Sequence, residues 1–228
     1  MEDKISAPPD SNSPASANYQ SKGEEYFDHP RNELLPLLPK VLNGIADIGG
    51  GSGATLSLVK EHYPNATTIC VDRHEPAIAK ARTRGHIGLV CDLQTSIPEE
   101  IAQCDVVVCL DVLEHLVDPW AVLENIYARM RPGAQVVISL PNVRYWPVSS
   151  GLLFSGRWEL TKQGVLDDTH LRFFTKTSAI ALLQSAHFQL VRIVGKLGPS
   201  SRGRTANALT FGLLRDLFVI QYLLVGTR

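Results

Sequence analysis

Short apolar segments alternate with segments of helical spacing from about residue 45 onward. Five of the apolar segments are typical of strands, namely "IADIG", "TTICVD", "HIGLVCD", "DVVVCLD" and "AQVVISL". Helical spacing occurs in "ATLSLVKEHY", "PAIAKARTRG" and "PWAVLENIYARMRPG", each of which stops at or beside a glycine or proline. Strands that are apolar throughout and alternate with helices indicate a parallel sheet covered on both faces. The sequence therefore predicts a doubly wound α/β fold, which binds ligands at the carboxyl ends of its strands.

Each of the first four predicted strands ends in a carboxylate. These residues are Asp47, Asp72, Asp92 and Asp111. One such residue alone is often a helix cap. Four of them at the same edge of a sheet indicate a binding site.

The stretch "ADIGGGSGAT" at residues 46–55 fits two kinds of nucleotide-binding turn. Gly49-x-Gly51-x-x-Ala54 fits the dinucleotide pattern, in which Asp72 would contact a ribose. Gly49-x-Gly51-x-Gly53 after an acid fits a loop that binds S-adenosylmethionine. Either match alone is weak, so the glycines do not decide between the two ligands.

The charge of Asp47 favours S-adenosylmethionine. A dinucleotide would place its pyrophosphate against this turn and the following helix N-terminus. A carboxylate two residues before the first glycine opposes that anion. S-adenosylmethionine carries a sulfonium and an ammonium, and an acid at the end of the first strand attracts both.

The motifs "ADIGGGSGAT", "VDRHEP", "GLVCDL" and "DVVVCLDVLEHLVDPWAVLENIYARMRPGAQVVISLPN" together resemble the class I, Rossmann-like S-adenosylmethionine-dependent methyltransferases. The resemblance covers roughly residues 22–194. It implies a seven-stranded sheet with helices on both faces, an antiparallel seventh strand and an insertion after strand 5. "FQLVRIVG" would be strand six and "FVIQYLLVG" strand seven, with a helix at residues 207–217 between them. "YFDHPRNELLPLLP" would be the leading helix of the family.

The resemblance also implies roles for individual residues. Asp72 would accept hydrogen bonds from the ribose hydroxyls, Asp92 would accept from the adenine amino group, and Arg31 would bind the carboxylate of the cofactor. Gly50 stands where many relatives have another small residue, so we expect it to add flexibility. The implied cofactor-binding residues are Tyr26, Arg31, Asp47, Gly49, Gly51, Gly53, Asp72, Arg73, Asp92, Leu93, Leu110 and Asp111.

Residues 143–176 are too long for a plain connection and would lie over the methyl group of the cofactor. The motif "PN…RYW…GRW…DDTHLRFFT" resembles a subgroup from sugar and cell-surface polysaccharide pathways and, more weakly, the MetW methionine-biosynthesis family. Aromatic rings suit sugars or flat ligands, and arginines suit phosphate or carboxylate groups. Alternatively, the aromatic residues form a small satellite core and the arginines a solvated face. The candidate acceptor residues are Tyr145, Trp146, Arg157, Trp158 and Arg172.

Methyl transfer to a hydroxyl requires that a proton be removed. Two histidines are candidates for this role. His115 lies in "DVLEHL" after the fourth strand, and His170 lies in the insertion beside Asp167 and Asp168, which would orient it and raise its pKa. No leftover cluster of histidines and acids suggests a metal site, so none is expected.

Charge and composition limit the other functions. The net charge is −1, which gives no general attraction to nucleic acid, although residues 1–142 carry a net −8 and residues 143–204 a net +6. The four cysteines have no metal-ligand spacing and are expected to be buried free thiols. Residues 1–20 are expected to be disordered, and residues 21–228 to form one domain. No segment is a good membrane span, so we expect a cytoplasmic protein, with an oligomer left open.

These observations predict an S-adenosylmethionine-dependent O-methyltransferase that acts on a small anionic acceptor, such as a nucleotide- or phosphate-linked sugar. S-adenosylhomocysteine would be the product of the cofactor. The alternative is a non-catalytic module of MetW type that binds the cofactor or a partner. An NAD-dependent oxidoreductase is disfavoured by Asp47 and by "DVLEHL".

Calorimetric titration with S-adenosylhomocysteine and with NAD tests the ligand of the glycine turn. We expect micromolar binding of S-adenosylhomocysteine and no binding of NAD, with loss of binding in Asp72→Ala because the ribose loses its acceptor. Binding of NAD alone would revive the oxidoreductase hypothesis. Unchanged binding in Asp72→Ala would contradict the proposed position of the ribose.

Overall fold

The computed structural model describes Asp28, residues 30–198 and residues 214–228. The predicted disordered tail, Tyr26 and most of the predicted helix at 207–217 lie outside these residues. The strands are β1 (Gly44–Ile48), β2 (Thr67–Asp72), β3 (Ile87–Val90), β4 (Val106–Leu110), β5 (Gln135–Pro141), β6 (Gln189–Leu197) and β7 (Val219–Thr227). The α-helices are α1 (Ala54–His62), α2 (Glu75–Thr83), α3 (Pro119–Arg129), α4 (Trp146–Ser155), α5 (Lys176–Ser185) and α6 (Arg215–Phe218). Short 3-10 helices cover Asn32–Leu37, Glu99–Gln103 and Leu113–His115.

The seven strands form one sheet in the order β3-β2-β1-β4-β5-β7-β6. Strands β1 to β5 are parallel, and β7 runs antiparallel to both β5 and β6. This arrangement confirms the predicted seven-stranded fold. The strand order reverses between β1 and β4, which pair in the register Ile48↔Cys109. Ligands of open α/β sheets bind at such a switch point, so the loops after β1 and β4 define the candidate site.

The core lies on both faces of the sheet because successive strand residues point to opposite sides. In β1, Ala46 and Ile48 belong to one buried apolar cluster, and Ile45 belongs to the other. All four cysteines are free thiols, of which Cys91 is only half-buried rather than buried as expected. In the described part of the chain, no helix has both the length and the apolar character that crossing a bilayer requires.

Two segments differ from the sequence predictions. The described part of the predicted leading helix is the 3-10 helix Asn32–Leu37, because Pro36 within it has no N–H to donate to an α-helical bond. Helix α4, inside the insertion, was not predicted. It is apolar without a polar face, and none of its residues is buried, so its sequence lacks the periodicity that reveals a surface helix.

Asn142 joins the start of the insertion to the last strand. Its side chain is fully buried, and its Nδ2 donates to the carbonyls of Asp216 and Val219, each at 2.8 Å. Its Oδ1 accepts from the amide of Arg144 at 3.1 Å. The "PN" that ends β5 therefore holds the entrance of the insertion against the beginning of β7.

Replacing Asn142 with alanine should lower the free energy of unfolding by about 2–3 kcal/mol, because two carbonyls and one amide lose a buried partner. The exposed Asn43→Ala is the matched control and should change stability by less than about 0.5 kcal/mol. Chemical denaturation of both variants measures the difference. Equal effects would show that the Asn142 bonds do not hold the insertion.

Candidate active site

The glycine turn after β1 is held by the backbone of the neighbouring strand. The amides of Gly49 and Gly50 donate to the carbonyl of Val71 at 2.7 and 3.2 Å. Gly49, Gly51 and Gly53 have φ angles of 75°, 54° and 76°, a backbone region that residues other than glycine rarely adopt. These three are the glycines that the sequence predicted for the cofactor loop, and they shape a tight turn into α1.

Gly50 is required by close packing rather than by flexibility, which corrects the sequence expectation. A Cβ at this position would lie 2.8 Å from Cγ of Asp47 and 2.9 Å from Sγ of Cys70. Both neighbours are buried in adjacent strands and have little room to move. The turn therefore lies directly on the Asp47 carboxyl.

Asp47 is a buried acid beneath the turn. Burial, with a further contribution from the charge of Asp72, raises the pKa of Asp47 to about 7. A positive charge above the turn would stabilise its ionised form, as the sequence argument for a sulfonium requires. An added anion would oppose it.

Asp72, at the end of β2, organises the same turn. It is buried, and its two oxygens accept hydrogen bonds from the amides of Gly51 at 3.1 Å and His74 at 2.8 Å. Each carboxylate oxygen has a second acceptor position. The carboxylate therefore fits a role toward a ribose, and that role stays a prediction.

The other residues predicted for the nucleoside lie near β2 and β3. Asp92 is exposed, and its Oδ1 accepts from the amide of Gln94 at 3.0 Å. Arg73 is exposed too. Leu93 is buried and belongs to the apolar core, which limits how much of its side chain an adenine ring could contact.

Asp111, directly after β4, is the centre of a polar network. It has a φ of 57°, which is unusual for a residue with a side chain. Its Oδ1 accepts from Ser139 Oγ at 2.7 Å and from Gln221 Nε2. Its Oδ2 accepts from Nη1 of Arg31. The structure thus brings the predicted cofactor residues Arg31 and Asp111 into direct contact.

Charges of both signs surround Arg31. Burial alone would lower the pKa of Arg31, but the charges of Asp111 and Glu33 outweigh burial and raise it. For Glu33 the effect of burial has the opposite sign and would raise its pKa. Hydrogen bonds and charges from Lys196 and Arg31 outweigh burial and lower the pKa of Glu33 to about 2. Arg31 is therefore a permanent cation at the strand ends, suited to binding a carboxylate.

Two members of this network, Ser139 and Gln221, were not predicted as site residues. Ser139 lies in the apolar strand β5 and is fully buried, and Gln221 lies in the apolar strand β7. Gln221 Oε1 accepts from Nη2 of Arg31 at 3.1 Å. A polar residue within a buried strand needs a partner, and this pattern is the sequence signal that could have revealed both.

The two predicted catalytic histidines lie together. The rings of His115 and His170 meet edge to face with centroids 4.8 Å apart. The carbonyl of Glu114 accepts from the amides of Leu171 and Arg172 at 2.8 and 3.0 Å, which ties the insertion to the turn after β4. This contact between distant segments was invisible in the sequence.

The carboxylates predicted to orient His170 have other contacts as well. Asp167 Oδ1 accepts from the amide and the hydroxyl of Thr169 at 2.9 and 2.6 Å. Asp168 pairs with Lys162 at 2.6 Å. The acid that lies beside the two histidines is Glu114, which sequence reasoning missed. One ligand atom from each of these three side chains lies within 4.8 Å of the others, which corrects the expectation that no such cluster exists.

The predicted acceptor residues divide into two groups. Trp158 packs edge to face on Phe173 with centroids 5.1 Å apart, and Phe173 lies 6.2 Å from the ring of His170. These rings form a row that leads to the histidines.

The remaining candidates have other neighbours. Trp146 contacts Phe154 on α4, with centroids 6.2 Å apart. Arg172 donates to the carbonyl of Val117 and lies 5.7 Å over the ring of Trp120. Tyr145 packs against Gly198, where a Cβ would lie 2.4 Å from its hydroxyl, and Arg157 is exposed. Of the five predicted acceptor residues, Trp158 is the one that the structure joins to the histidines through ring contacts.

Comparison with known proteins agrees with this geometry. A family model described as a methyltransferase domain matches residues 19–193. A ubiquinone biosynthesis O-methyltransferase of Pseudomonas aeruginosa (strain UCBPP-PA14) is 34% identical over 104 residues, which cover 43% of this chain and 44% of that protein. The match thus spans less than half of that curated relative.

Two solved structures show the same fold. A S-adenosylmethionine-dependent methyltransferase from Archaeoglobus fulgidus superposes with a TM-score of 0.61 at 21% identity, over 92% of this chain and 97% of that one. Human N-acetylserotonin methyltransferase, solved with S-adenosylmethionine, superposes with a TM-score of 0.52 at 18% identity, over 83% of this chain and 48% of that one.

The fold and the loops at its switch point are those of a class I, Rossmann-like methyltransferase domain. The chain belongs to the methyltransferase-domain family. The predicted family and fold are confirmed at this level, and S-adenosylmethionine stays the predicted methyl donor. The position of each cofactor-binding residue stays a prediction.

Asp47 generates a pH-dependence of stability in the ligand-free protein. Between about pH 4 and pH 7 the folded protein keeps the Asp47 proton that the unfolded chain has lost. Stability should therefore fall as the pH rises through this window, by on the order of 2–4 kcal/mol. Urea denaturation at several pH values measures this slope.

The Asp47→Asn variant should lose the part of this slope that Asp47 contributes, because its side chain cannot titrate, and keep the part that comes from Glu114, whose pKa is also raised by burial. Glu61→Gln, which changes an exposed carboxyl on α1, is the control and should keep it. A wild-type slope that persists in Asp47→Asn would assign the pH-dependence to another group.

Proposed function

We propose that this protein transfers the methyl group of S-adenosylmethionine to a hydroxyl of a small acceptor that contains a ring. The observation that carries the proposal is the row of rings from Trp158 through Phe173 and His170 to His115. The row ends at the turn after β4, next to the strand whose loop carries the glycines. An acceptor on this row would meet the donor at the switch point of the sheet.

The cofactor would lie across the carboxyl ends of β1, β2 and β4. Gly49, Gly51 and Gly53 would let the backbone approach it closely. Asp72 would accept from the ribose, and Asp92 from the adenine amino group. Arg31 would bind the carboxylate, because a guanidinium has five N–H donors and its bonds to Glu33, Asp111 and Gln221 use three of them.

The chemistry requires little beyond alignment and removal of one proton. S-adenosylmethionine supplies an activated methyl group, which the acceptor oxygen attacks in line as the carbon–sulfur bond breaks. The hydroxyl proton leaves at the pair of His115 and His170. Burial, followed by the charge of His170, lowers the pKa of His115 to about 4, so its ring is neutral at pH 7. A neutral imidazole has one nitrogen that can accept a proton.

Two features bear on the class of acceptor. The ring surface of Trp158, 40% exposed, suits a flat or sugar ring. The net +6 of residues 143–204 suits an anion, such as a phosphate- or nucleotide-linked sugar of the kind that the subgroup resemblance implied. The relative that acts in ubiquinone biosynthesis suggests a phenolic ring as the other candidate.

A panel of acceptors tests the proposal directly. Release of S-adenosylhomocysteine is measured with catechol-type phenols, nucleotide sugars and neutral sugars. We expect turnover with phenols or nucleotide sugars and none with neutral sugars. Binding of S-adenosylhomocysteine without turnover on any acceptor would contradict catalysis and favour the non-catalytic alternative.

The ring row makes a separate prediction once an acceptor is found. Trp158→Ala should raise KM for the acceptor by about tenfold or more, because a stacking surface is lost, and should leave the affinity for S-adenosylhomocysteine unchanged. Trp120→Ala is the matched control, since Trp120 is a tryptophan of similar exposure, 41%, on α3. Equal KM values in the two variants would show that the ring row does not bind the acceptor.

A further inference from the structure

Glu114 is a buried acid whose side chain has no hydrogen-bond partner among the described residues. Its side chain is 1% exposed, and within the described part of the chain neither Oε1 nor Oε2 has a hydrogen-bond partner. Burial and then the nearby charge of Asp111 raise the pKa of Glu114. Buried carboxylates in native proteins are almost always paired, hydrogen-bonded or bound to a metal. Glu114 therefore points to a ligand.

The two histidines beside it are oriented by backbone carbonyls. Nδ1 of His115 lies 3.1 Å from the carbonyl of Thr169, and Nδ1 of His170 lies 3.1 Å from the carbonyl of Val165. A carbonyl only accepts, so Nδ1 must carry the hydrogen in both rings. In the neutral rings the lone pair is then on Nε2. Metal-binding histidines are commonly oriented by such a bond from the other ring nitrogen.

The three side chains converge. One ligand atom from each lies within 4.8 Å of the others, and Nε2 of His170 lies 3.9 Å from Oε1 of Glu114. Two ligands of one cation lie at most about 4.2 Å apart when each bond is about 2.1 Å long. Small side-chain rotations would close this gap. An ion pair between His170 and Oε1 of Glu114 would still leave Oε2 of Glu114 without a hydrogen-bond donor.

We propose that Glu114, His115 and His170 form a binding site for one divalent transition-metal cation. Two imidazole nitrogens and one carboxylate favour Zn²⁺, Co²⁺, Fe²⁺ or Mn²⁺ over Mg²⁺ or Ca²⁺, which prefer oxygen ligands. Three protein ligands leave coordination positions open. The charge of the cation would also offset the negative charges of Glu114 and of the neighbouring Asp111.

The use of this site rests on the proposed function, whereas its existence does not. An acceptor hydroxyl in an open position would have a lowered pKa and lose its proton to water. Its oxygen would then form the bond to the methyl carbon as the carbon–sulfur bond of the donor breaks. In this arrangement water takes the proton in place of a histidine, the two histidines act through the cation, and Glu114 joins them in the machinery.

Binding of Co²⁺ to the full-length protein, freed of metal with a chelator, tests the site. We expect one equivalent to bind in calorimetry, with the visible spectrum of a nitrogen–oxygen ligand set. His170→Ala and Glu114→Gln should each weaken binding by tenfold or more. His62→Ala, which removes an exposed histidine of α1, is the matched control and should bind Co²⁺ like the wild type.

Thermal unfolding separates a metal site from a purely structural cluster. Co²⁺ and Zn²⁺ should raise Tm of the wild type and of His62→Ala, and should not raise it in Glu114→Gln. If His170→Ala does not fold, His170→Asn takes its place. The proposal would be overturned if the wild type bound none of Co²⁺, Zn²⁺ and Mn²⁺. It would also be overturned if both site variants bound these cations as tightly as the wild type does. Since S-adenosylhomocysteine binding and methyl transfer are measured separately, that result would leave the proposed function standing.

Discussion

The carboxylate of Asp111 joins four parts of the chain at the edge of the sheet. It binds Arg31 from the segment before β1, Ser139 from β5 and Gln221 from β7, and it follows β4 itself. Asp111 is half-buried, and its hydrogen bonds form only where its partners are fixed, so these strands must hold their register for the network to form. The left-handed backbone of Asp111 lies between the end of β4 and the 3-10 helix Leu113–His115. In the proposed function, the residues predicted for the methionine end of the cofactor meet at this carboxylate.

The proposed acceptor side begins three residues later on the same turn. Glu114 and His115 lie on the 3-10 helix Leu113–His115, and the backbone carbonyl of Glu114 receives the amides of Leu171 and Arg172. The long insertion is thereby fixed to the strand end that holds Asp111. In the proposed function, a few residues of backbone would therefore couple the positions of donor and acceptor, as methyl transfer requires.

Acids dominate the region around the glycine turn and the β4 turn. Asp47 lies beneath the glycines, Asp72 holds the turn from the side, and Glu114 is buried beside the histidines. Two arginines lie beside these acids: Arg31 at Asp111, and Arg84, whose Nη1 donates to the carbonyl of Ser52 in the glycine turn at 2.9 Å. Such an environment disfavours a pyrophosphate and favours positively charged groups, which agrees with a sulfonium donor and with a bound cation.

Strand and helix order, the glycine turn and the strand-end acids could be read from the sequence, because each follows from local periodicity and backbone sterics. The unpatterned α4 and the 3-10 form of Asn32–Leu37 could not, since apolar runs without periodicity and internal prolines leave the local signal ambiguous. The contacts of Arg31 with Asp111 and of Glu114 with His170 join residues 80 and 56 positions apart in the printed sequence. Sequence alone thus determined the fold class and the glycine turn after β1. Only the tertiary structure decided which buried charges meet, because burial and strand pairing, not sequence distance, determine the partners of a charged side chain.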